Sequence, residues 1–263
     1  MTSKVYEITK FGIPIKVKLN NEYRQHYDFW TEYYEKWENE TFKIFDRYLD
    51  LNHSYLDIGA WIGPTVLYGA YKAKHVYAVE PNTIAYQELV SNTKLNTNIT
   101  SKITCINAAL STNSDKIKLY IKTDISESMS SLIPTTFNNN YIDVRGITFT
   151  ELIIENNVRD INFVKIDVEG AEYSIVPAIH EYLFSNKPTL YLSIHPPFLM
   201  ESAQLNTLLQ MDLNEYKIQT TQRLLKSLSF YKYIYDTEGN QIDPCIILDQ
   251  NYFSAFVFSD EKW

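Results

Sequence analysis

From residue 54 onward, short apolar runs alternate with stretches of helical periodicity, and this pattern restricts the fold more than any other feature. Tyr55–Ile58, Val76–Val79, Ile103–Ala109, Ile161–Asp167 and Leu190–Ile194 read as strands. Between them, Val66, Leu67, Ala70 and Tyr71 share one helix face, and Ile84–Leu95 forms a second helix. Ile175, Val176, Ile179 and Leu183 mark a third. Pro81-Asn82-Thr83 gives the second helix its start and cap. Strands that alternate with helices pair in parallel through right-handed crossovers, so an α/β fold is expected. The C-terminal part departs from the alternation. Phe230–Tyr235 and Phe253–Phe258 read as strands, with a turn at Asp236–Asn240 and no long helix between them. An antiparallel edge on an otherwise parallel sheet accounts for this. Ile117–Ile121 is expected as an added strand, and the polar stretch Thr123–Tyr141 as the longest loop.

Residues 1–50 read as an extension in front of a domain at 51–263. Ile8–Leu19, punctuated by Gly12 and Pro14, suits a short strand or hairpin. Phe29, Tyr33, Trp37, Ile44, Phe45, Tyr48 and Leu49 follow at helical spacing, a stripe that suits core packing or the wall of a pocket. A chain of 263 residues that is 45% hydrophobic closes a core without disulfides or a structural metal. Its net charge of −8 makes it a poor general binder of nucleic acid, so no nucleic-acid partner is expected. Cys105 and Cys245 both sit in apolar runs, far apart, which predicts buried free thiols in a reducing compartment. Charged residues break up Met1–Leu19, and no apolar stretch reaches the ~20 residues of a membrane span. A soluble, cytoplasmic protein is the expectation.

Three groups of residues carry chemistry. Asp57-Ile58-Gly59-Ala60-Trp61-Ile62-Gly63 follows a strand and opens a helix, where a glycine turn and free amides suit an anionic group. Glu80 ends the next strand, where a carboxylate can accept from a ribose diol. Lys165-Ile166-Asp167-Val168-Glu169-Gly170-Ala171-Glu172 closes the fourth strand and turns into a helix. Ligands of open parallel sheets bind outside the carboxyl ends of the strands, so these acids are expected around one crevice. Glu172 also fits a plain role in the first helical turn, favoured by the helix dipole.

The segments Asp57-Ile-Gly-Ala-Trp-Ile-Gly63, Val79-Glu80-Pro81-Asn82, Asn107-Ala-Ala-Leu-Ser111 and Lys165-Ile-Asp-Val-Glu-Gly-Ala-Glu172 together resemble the FkbM family of S-adenosylmethionine-dependent methyltransferases. The resemblance implies the class I methyltransferase fold, a Rossmann-like, seven-stranded, mostly parallel sheet with an antiparallel C-terminal strand. It implies S-adenosyl-L-methionine as cofactor. Asp57, Gly59, Ala60, Trp61 and Gly63 would form its methionine end, Glu80 would hold the ribose hydroxyls with Asn82 beside it, and Asn107 and Ala108 would border the adenine. Asp167 and Glu169 would face the sulfonium and the methyl acceptor. The chain departs from the family pattern at Trp61, where an asparagine is usual, at Thr148-Phe149-Thr150, where a Leu-Asp pair is frequent, and near Ser193, where a glutamate is frequent.

Methyl transfer from a sulfonium is an in-line displacement, helped by alignment, and an alcohol acceptor must also lose its proton. His195, in Ser193-Ile-His-Pro-Pro197 at a strand end, is the preferred base. It equally suits a histidine hydrogen-bonded in the turn made by the prolines. Asp167, Glu169 and His195 could instead hold a divalent cation, but the spacing does not require one and no metal is expected. The reading is a methyltransferase acting on a hydroxyl of a sugar, glycan or other small molecule. A cofactor-binding sensor or subunit without turnover is the alternative, and a nucleic-acid methyltransferase is disfavoured by charge.

Overall fold

The computed structural model describes residues 4–122, 128–135, 140–206 and 209–263. The chain opens with a hairpin of β1 (Lys4–Lys10) and β2 (Ile13–Leu19), closed at Phe11-Gly12, both at positive φ. A two-residue turn of that hand matches the twist of paired strands. β2 buries Ile15, Val17 and Leu19 on one face, the period-2 pattern of a half-covered strand. Next come α1 (Arg24–Asp28), a π-helical turn at Phe29–Tyr33, and α2 (Asn39–Tyr48). The aromatic stripe is therefore carried by a broken helix, interrupted before α2 by Glu38 in left-handed conformation.

The main domain then alternates: β3 (Ser54–Ile58), α3 (Pro64–Lys72), β4 (His75–Val79), α4 (Thr83–Leu95) and β5 (Ile103–Ile106). An insertion follows, with β6 (Ala109–Leu110), β7 (Lys116–Tyr120) and β8 (Tyr141–Ile147). The alternation resumes with α5 (Phe149–Glu155), β9 (Ile161–Ile166), α6 (Glu172–Ala178), α7 (His180–Asn186), β10 (Thr189–Ile194), α8 (Pro196–Leu205) and α9 (Leu213–Ser227). The chain finishes with β11 (Tyr233–Tyr235), α10 (Pro244–Leu248) and β12 (Ser254–Ser259).

One seven-stranded sheet runs in the order β11-β12-β10-β9-β3-β4-β5. β10, β9, β3, β4 and β5 are parallel, and β12 inserts antiparallel between β10 and β11. This is the class I methyltransferase sheet, with its switch point between β3 and β9. Successive side chains leave it on opposite faces. Tyr55 and Phe163 join a core with the N-terminal hairpin, α2 and α3, while Leu56 and Val164 join a core with α6 and α9. Residues 4–50 thus pack into one core with the sheet.

Several local expectations change. The third strand ends at Ile106, because the chain leaves the sheet at Asn107 and Ala109–Leu110 pairs with β8 in a separate sheet of order β6-β8-β7. Ile117–Ile121 contributes to that sheet as β7, and its partner β8 turns Ile142, Val144 and Gly146 inward and Asp143 and Arg145 outward. The helix expected after β9 divides in two near Pro177, which supplies no amide donor to the turn before it. Cys105 is half-buried and Cys245 is exposed on α10, so the two thiols are not both buried. In the expected loop, residues 123–127 and 136–139 lie outside the described residues, and Ser131 pairs with Tyr120. No helix among the described residues is long and apolar enough to cross a membrane.

Lys10 ties the hairpin to the broken helix. Its buried ammonium donates to the carbonyls of Tyr34 at 3.0 Å, Glu35 at 3.2 Å and Trp37 at 2.6 Å, and to Asn39 Oδ1 at 2.6 Å. Hydrogen bonds from a charged donor are among the stronger ones, and each orphaned acceptor carries its desolvation cost. Lys10→Ala is expected to lower stability by about 3 kcal/mol, read as a reduced midpoint in urea unfolding.

Candidate active site

The crevice is built at the switch point. After β3 the chain turns through Gly59 at φ 90° and Trp61 at φ 46°, then enters α3 from Gly63 at φ 95°. The amides of Gly59 and Ala60 both donate to the Val79 carbonyl at 3.0 Å. A Cβ on Gly59 would lie 1.9 Å from the Asp167 carbonyl oxygen, so the β3 and β9 turns touch backbone to backbone there. Gly63 serves helix packing, since a Cβ on it would meet Leu89 Cδ1 at 2.8 Å.

Glu80 is buried and braces two loops. Its Oε2 accepts from the Trp61 amide at 2.8 Å and its Oε1 from the Asn82 amide at 2.7 Å. Burial pushes this carboxyl up to about 7, against the pull of those two amides. Asn82 in turn caps α4 by accepting from the Ile84 amide at 2.9 Å, as its place before the helix predicts. Asn107 Nδ2 donates to the carbonyls of Glu80 at 2.8 Å and Pro81 at 3.2 Å, so it fixes this strand end.

Across the switch point, Lys165 is buried between two carboxylates. Its Nζ lies 3.1 Å from Asp167 Oδ2 and 3.6 Å from Asp57 Oδ1. Burial alone would lower this lysine, but Asp167 and Asp57 outweigh it and hold the ammonium well above its ordinary range. Asp57 is fully enclosed and accepts from the Tyr55 and Thr65 hydroxyls at 2.6 Å each.

Beyond Asp167 the chain places Glu169 at φ 50° and Gly170 at φ 100°. Glu172 secures this turn, its Oε2 accepting from the Gly170 amide at 2.8 Å and its Oε1 from the His195 amide at 2.7 Å. His195, at the end of β10, is 5% exposed. Its Nε2 lies 3.4 Å from both Asp167 Oδ1 and Glu169 Oε2, and its Nδ1 3.4 Å from Glu172 Oε1. Burial opposes charge on this ring, yet Glu172, Glu169 and Asp167 prevail and raise it to about 10. The fold thus brings His195 into a cluster with Asp167, Glu169 and Glu172.

Two adjoining cavities lie over these turns. A small one of about 60 Å³ is lined by Gly59, Trp61, Glu80, Asn82, Ala108 and Leu132, among others. A larger one of about 560 Å³ reaches from Ala60 and Thr65 to Asp167, Glu169 and His195. Gly59, Trp61, Asp167 and Glu169 border both. Of the residues expected to hold a cofactor, Gly59, Ala60, Trp61, Glu80, Asn82, Ala108 and Asp167 face these cavities. Asp57, Gly63 and Asn107 do not: they hold Lys165, helix packing and the β4 strand end in place.

Reading the sequence missed Glu38, Tyr191 and Phe253, which also line the larger cavity. Phe29 and Trp37 of the aromatic stripe do face it, and Phe29 packs edge-on to Trp61 at 4.7 Å. Helical spacing held the signal for Phe29 and Trp37, but it could not separate a pocket wall from core.

The sheet order is that of the class I methyltransferase fold. The methyltransferase FkbM domain matches residues 57–235, and the chain belongs to that family of S-adenosylmethionine-dependent enzymes. No curated protein is matched by the chain. Among solved structures it is similar to the FkbM methyltransferase of Methylobacillus flagellatus KT, with 21% identity over 78% of this chain and a TM-score of 0.42. The chain spans 43% of that protein's length. It is similar to M. jannaschii TYW2, crystallised with AdoMet, with 14% identity, 98% of this chain and 85% of that one, and a TM-score of 0.44. An rRNA methylase from Streptococcus thermophilus gives 11% identity, 85% and 96% coverage, and a TM-score of 0.42.

The contact at Gly59 predicts a sharp contrast. Gly12 also has positive φ, at 80°, but a Cβ there meets nothing within 4 Å. Gly12→Ala should cost about 1 kcal/mol, the strain of its turn alone. Gly59→Ala should cost at least about 3 kcal/mol, because the Asp167 strand end must shift as well. Thermal unfolding of the two variants checks this, and equal losses would show that φ alone is the constraint.

Proposed function

We propose that the chain binds S-adenosylmethionine across the two cavities and methylates a hydroxyl of a sugar or other small molecule in the larger one. The observation that supports this reading most is the continuity of the crevice. It runs from the Glu80 carboxylate, over the glycine turn, to the charged cluster of Asp167, Glu169 and His195. The cradle suits the cofactor, because Gly59 keeps backbone low where a ligand must pass and the small cavity opens beside an acid. Each oxygen of Glu80 accepts one amide hydrogen and so retains a lone pair for a ribose hydroxyl. Ala108 and Leu132 offer apolar contact to an adenine ring. Ala60, Thr65 and Glu38 border the region for the methionine end, where Glu38 suits an ammonium group.

When bound, S-adenosylmethionine supplies a sulfonium methyl group for transfer. An acceptor hydroxyl that took that methyl group would give up its proton, and the demethylated cofactor would leave as a neutral thioether. The chain's own residues align the acceptor and exclude water. Phe29, Trp37, Tyr191 and Phe253 present aromatic faces to an acceptor ring, while Asp167 and Glu169 present acceptors to its hydroxyls. A cavity walled by carboxylates repels a phosphate backbone, which favours a neutral, hydroxylated acceptor.

Calorimetric titration with S-adenosylmethionine and its demethylated product tests the reading. Both should bind, and Glu80→Ala should weaken them at least ten-fold through loss of the ribose partner. No binding at high micromolar concentration would overturn it. Transfer of labelled methyl groups should then appear with a panel of glycans and polyols, whereas label on RNA alone would overturn the acceptor class.

A further inference from the structure

Neither the glycine turn nor Glu80 explains why so much acid converges on one imidazole. Asp57, Asp167, Glu169 and Glu172 are four carboxylates around one ammonium, Lys165, and one imidazole, His195. Glu172 is fully buried and lies behind the ring, 3.4 Å from Nδ1, while it grips the His195 amide at 2.7 Å. A carboxylate in that position favours the proton on Nδ1 and turns the Nε2 lone pair outward. Nε2 then points at two further acceptors, Asp167 Oδ1 and Glu169 Oε2, each 3.4 Å away. Glu169 Oε2 is buried with no hydrogen bond among the described residues, and so is His195 Nδ1. Nε2, Asp167 Oδ1 and Glu169 Oε2 thus converge, and no hydrogen bond among the described residues joins them.

The distances bear on what fills the gap. Charge-assisted hydrogen bonds from an imidazolium close to about 2.7–2.9 Å, shorter than any contact made by this ring. Two ligands at about 2.1 Å from a shared cation stand about 3.0 Å apart in octahedral and 3.4 Å apart in tetrahedral geometry. The Nε2 contacts have that spacing, and the three donor atoms all lie within 4.8 Å of one another. All three side chains border the larger cavity, so other coordination positions open toward an acceptor.

We infer that Asp167, Glu169 and His195 form a binding site for a divalent first-row cation, with Glu172 as the positioning residue behind the imidazole. Sequence spacing alone does not call for a metal, whereas the folded cluster brings the three donors together. One imidazole with two carboxylates suits Mn²⁺, Fe²⁺ or Zn²⁺ better than the all-oxygen preference of Ca²⁺ or Mg²⁺. The site is a property of these side chains alone. Its use rests on the methyltransferase reading: an acceptor hydroxyl coordinated there loses its proton to solvent more readily, leaving oxygen as the nucleophile.

Mn²⁺ is the probe. Chelator-treated protein is titrated with Mn²⁺ while the electron paramagnetic resonance of the free ion is followed. One ion per chain should bind in the micromolar range, and spin-echo modulation should show a single imidazole nitrogen coupled to it. His195→Ala and Glu169→Gln should weaken binding at least ten-fold, and Glu172→Gln should do so with the imidazole coupling altered. Binding of the demethylated cofactor is titrated in parallel, so that a folded variant is recognised and failure of the metal site is separated from failure of the methyltransferase reading. No Mn²⁺ bound up to millimolar concentration, unchanged affinity in folded His195→Ala, or a bound ion without nitrogen coupling would each overturn the site.

Discussion

The crevice depends on the ammonium of Lys165 lying buried between Asp57 and Asp167. The two carboxylates end neighbouring parallel strands on either side of the switch point, and the lysine comes from the second of those strands. Removing the lysine would leave two carboxylates uncompensated inside the sheet, the costly way to disturb a buried ion pair. Asp57 is further committed by the Tyr55 and Thr65 hydroxyls, so it has no surface left for a ligand. The network acts through position. It holds the Asp167 backbone against Gly59, and that contact sets the floor shared by both cavities.

Glu80 and Glu172 repeat one device on the two halves of the sheet. Each is buried, and each spends its oxygens on amides of two separate segments: Trp61 and Asn82 for Glu80, Gly170 and His195 for Glu172. Each also stands next to a non-glycine residue at positive φ, Trp61 on one side and Glu169 on the other. Such backbone costs of order 1–3 kcal/mol per residue and persists only where the surroundings over-determine it. A carboxylate that accepts from neighbouring amides supplies that determination. It explains how Trp61 can occupy a turn where a smaller residue would be easier.

The α/β alternation and the strand-end acids were legible because period-2 and period-3.6 patterns are local. Asn82 capping α4 and the antiparallel β12 followed from the same kind of signal. Asp57 and Asn107 could be placed at strand ends, yet whether a strand-end polar group faces a ligand or the interior depends on neighbours distant in sequence. Lys165 decided that for Asp57, and the Glu80 and Pro81 carbonyls decided it for Asn107. β8 escaped notice because its partners, β6 and β7, lie upstream in an insertion with few buried positions. Glu38 and Phe253 were illegible for a related reason. They approach the cavity from the extension and from the C-terminal strand, more than 200 residues apart.

The acidity of this cavity constrains how it could accelerate methyl transfer. A sulfonium loses its positive charge as the methyl group leaves, so carboxylates beside it stabilise the starting state at least as well as the transition state. Interactions of that kind contribute to affinity and add nothing to the chemical step. Glu38, which burial and Asp167 push up to about 7 against the pull of Lys165, belongs to this class, as does the general negative character of the wall. Acceleration must come instead from alignment of oxygen, carbon and sulfur and from raising the nucleophilicity of the acceptor oxygen. Among the described residues, the groups best placed for the second task are those at the ends of β9 and β10. On the proposed function, their crowding around His195 is where binding geometry and rate would be decided together.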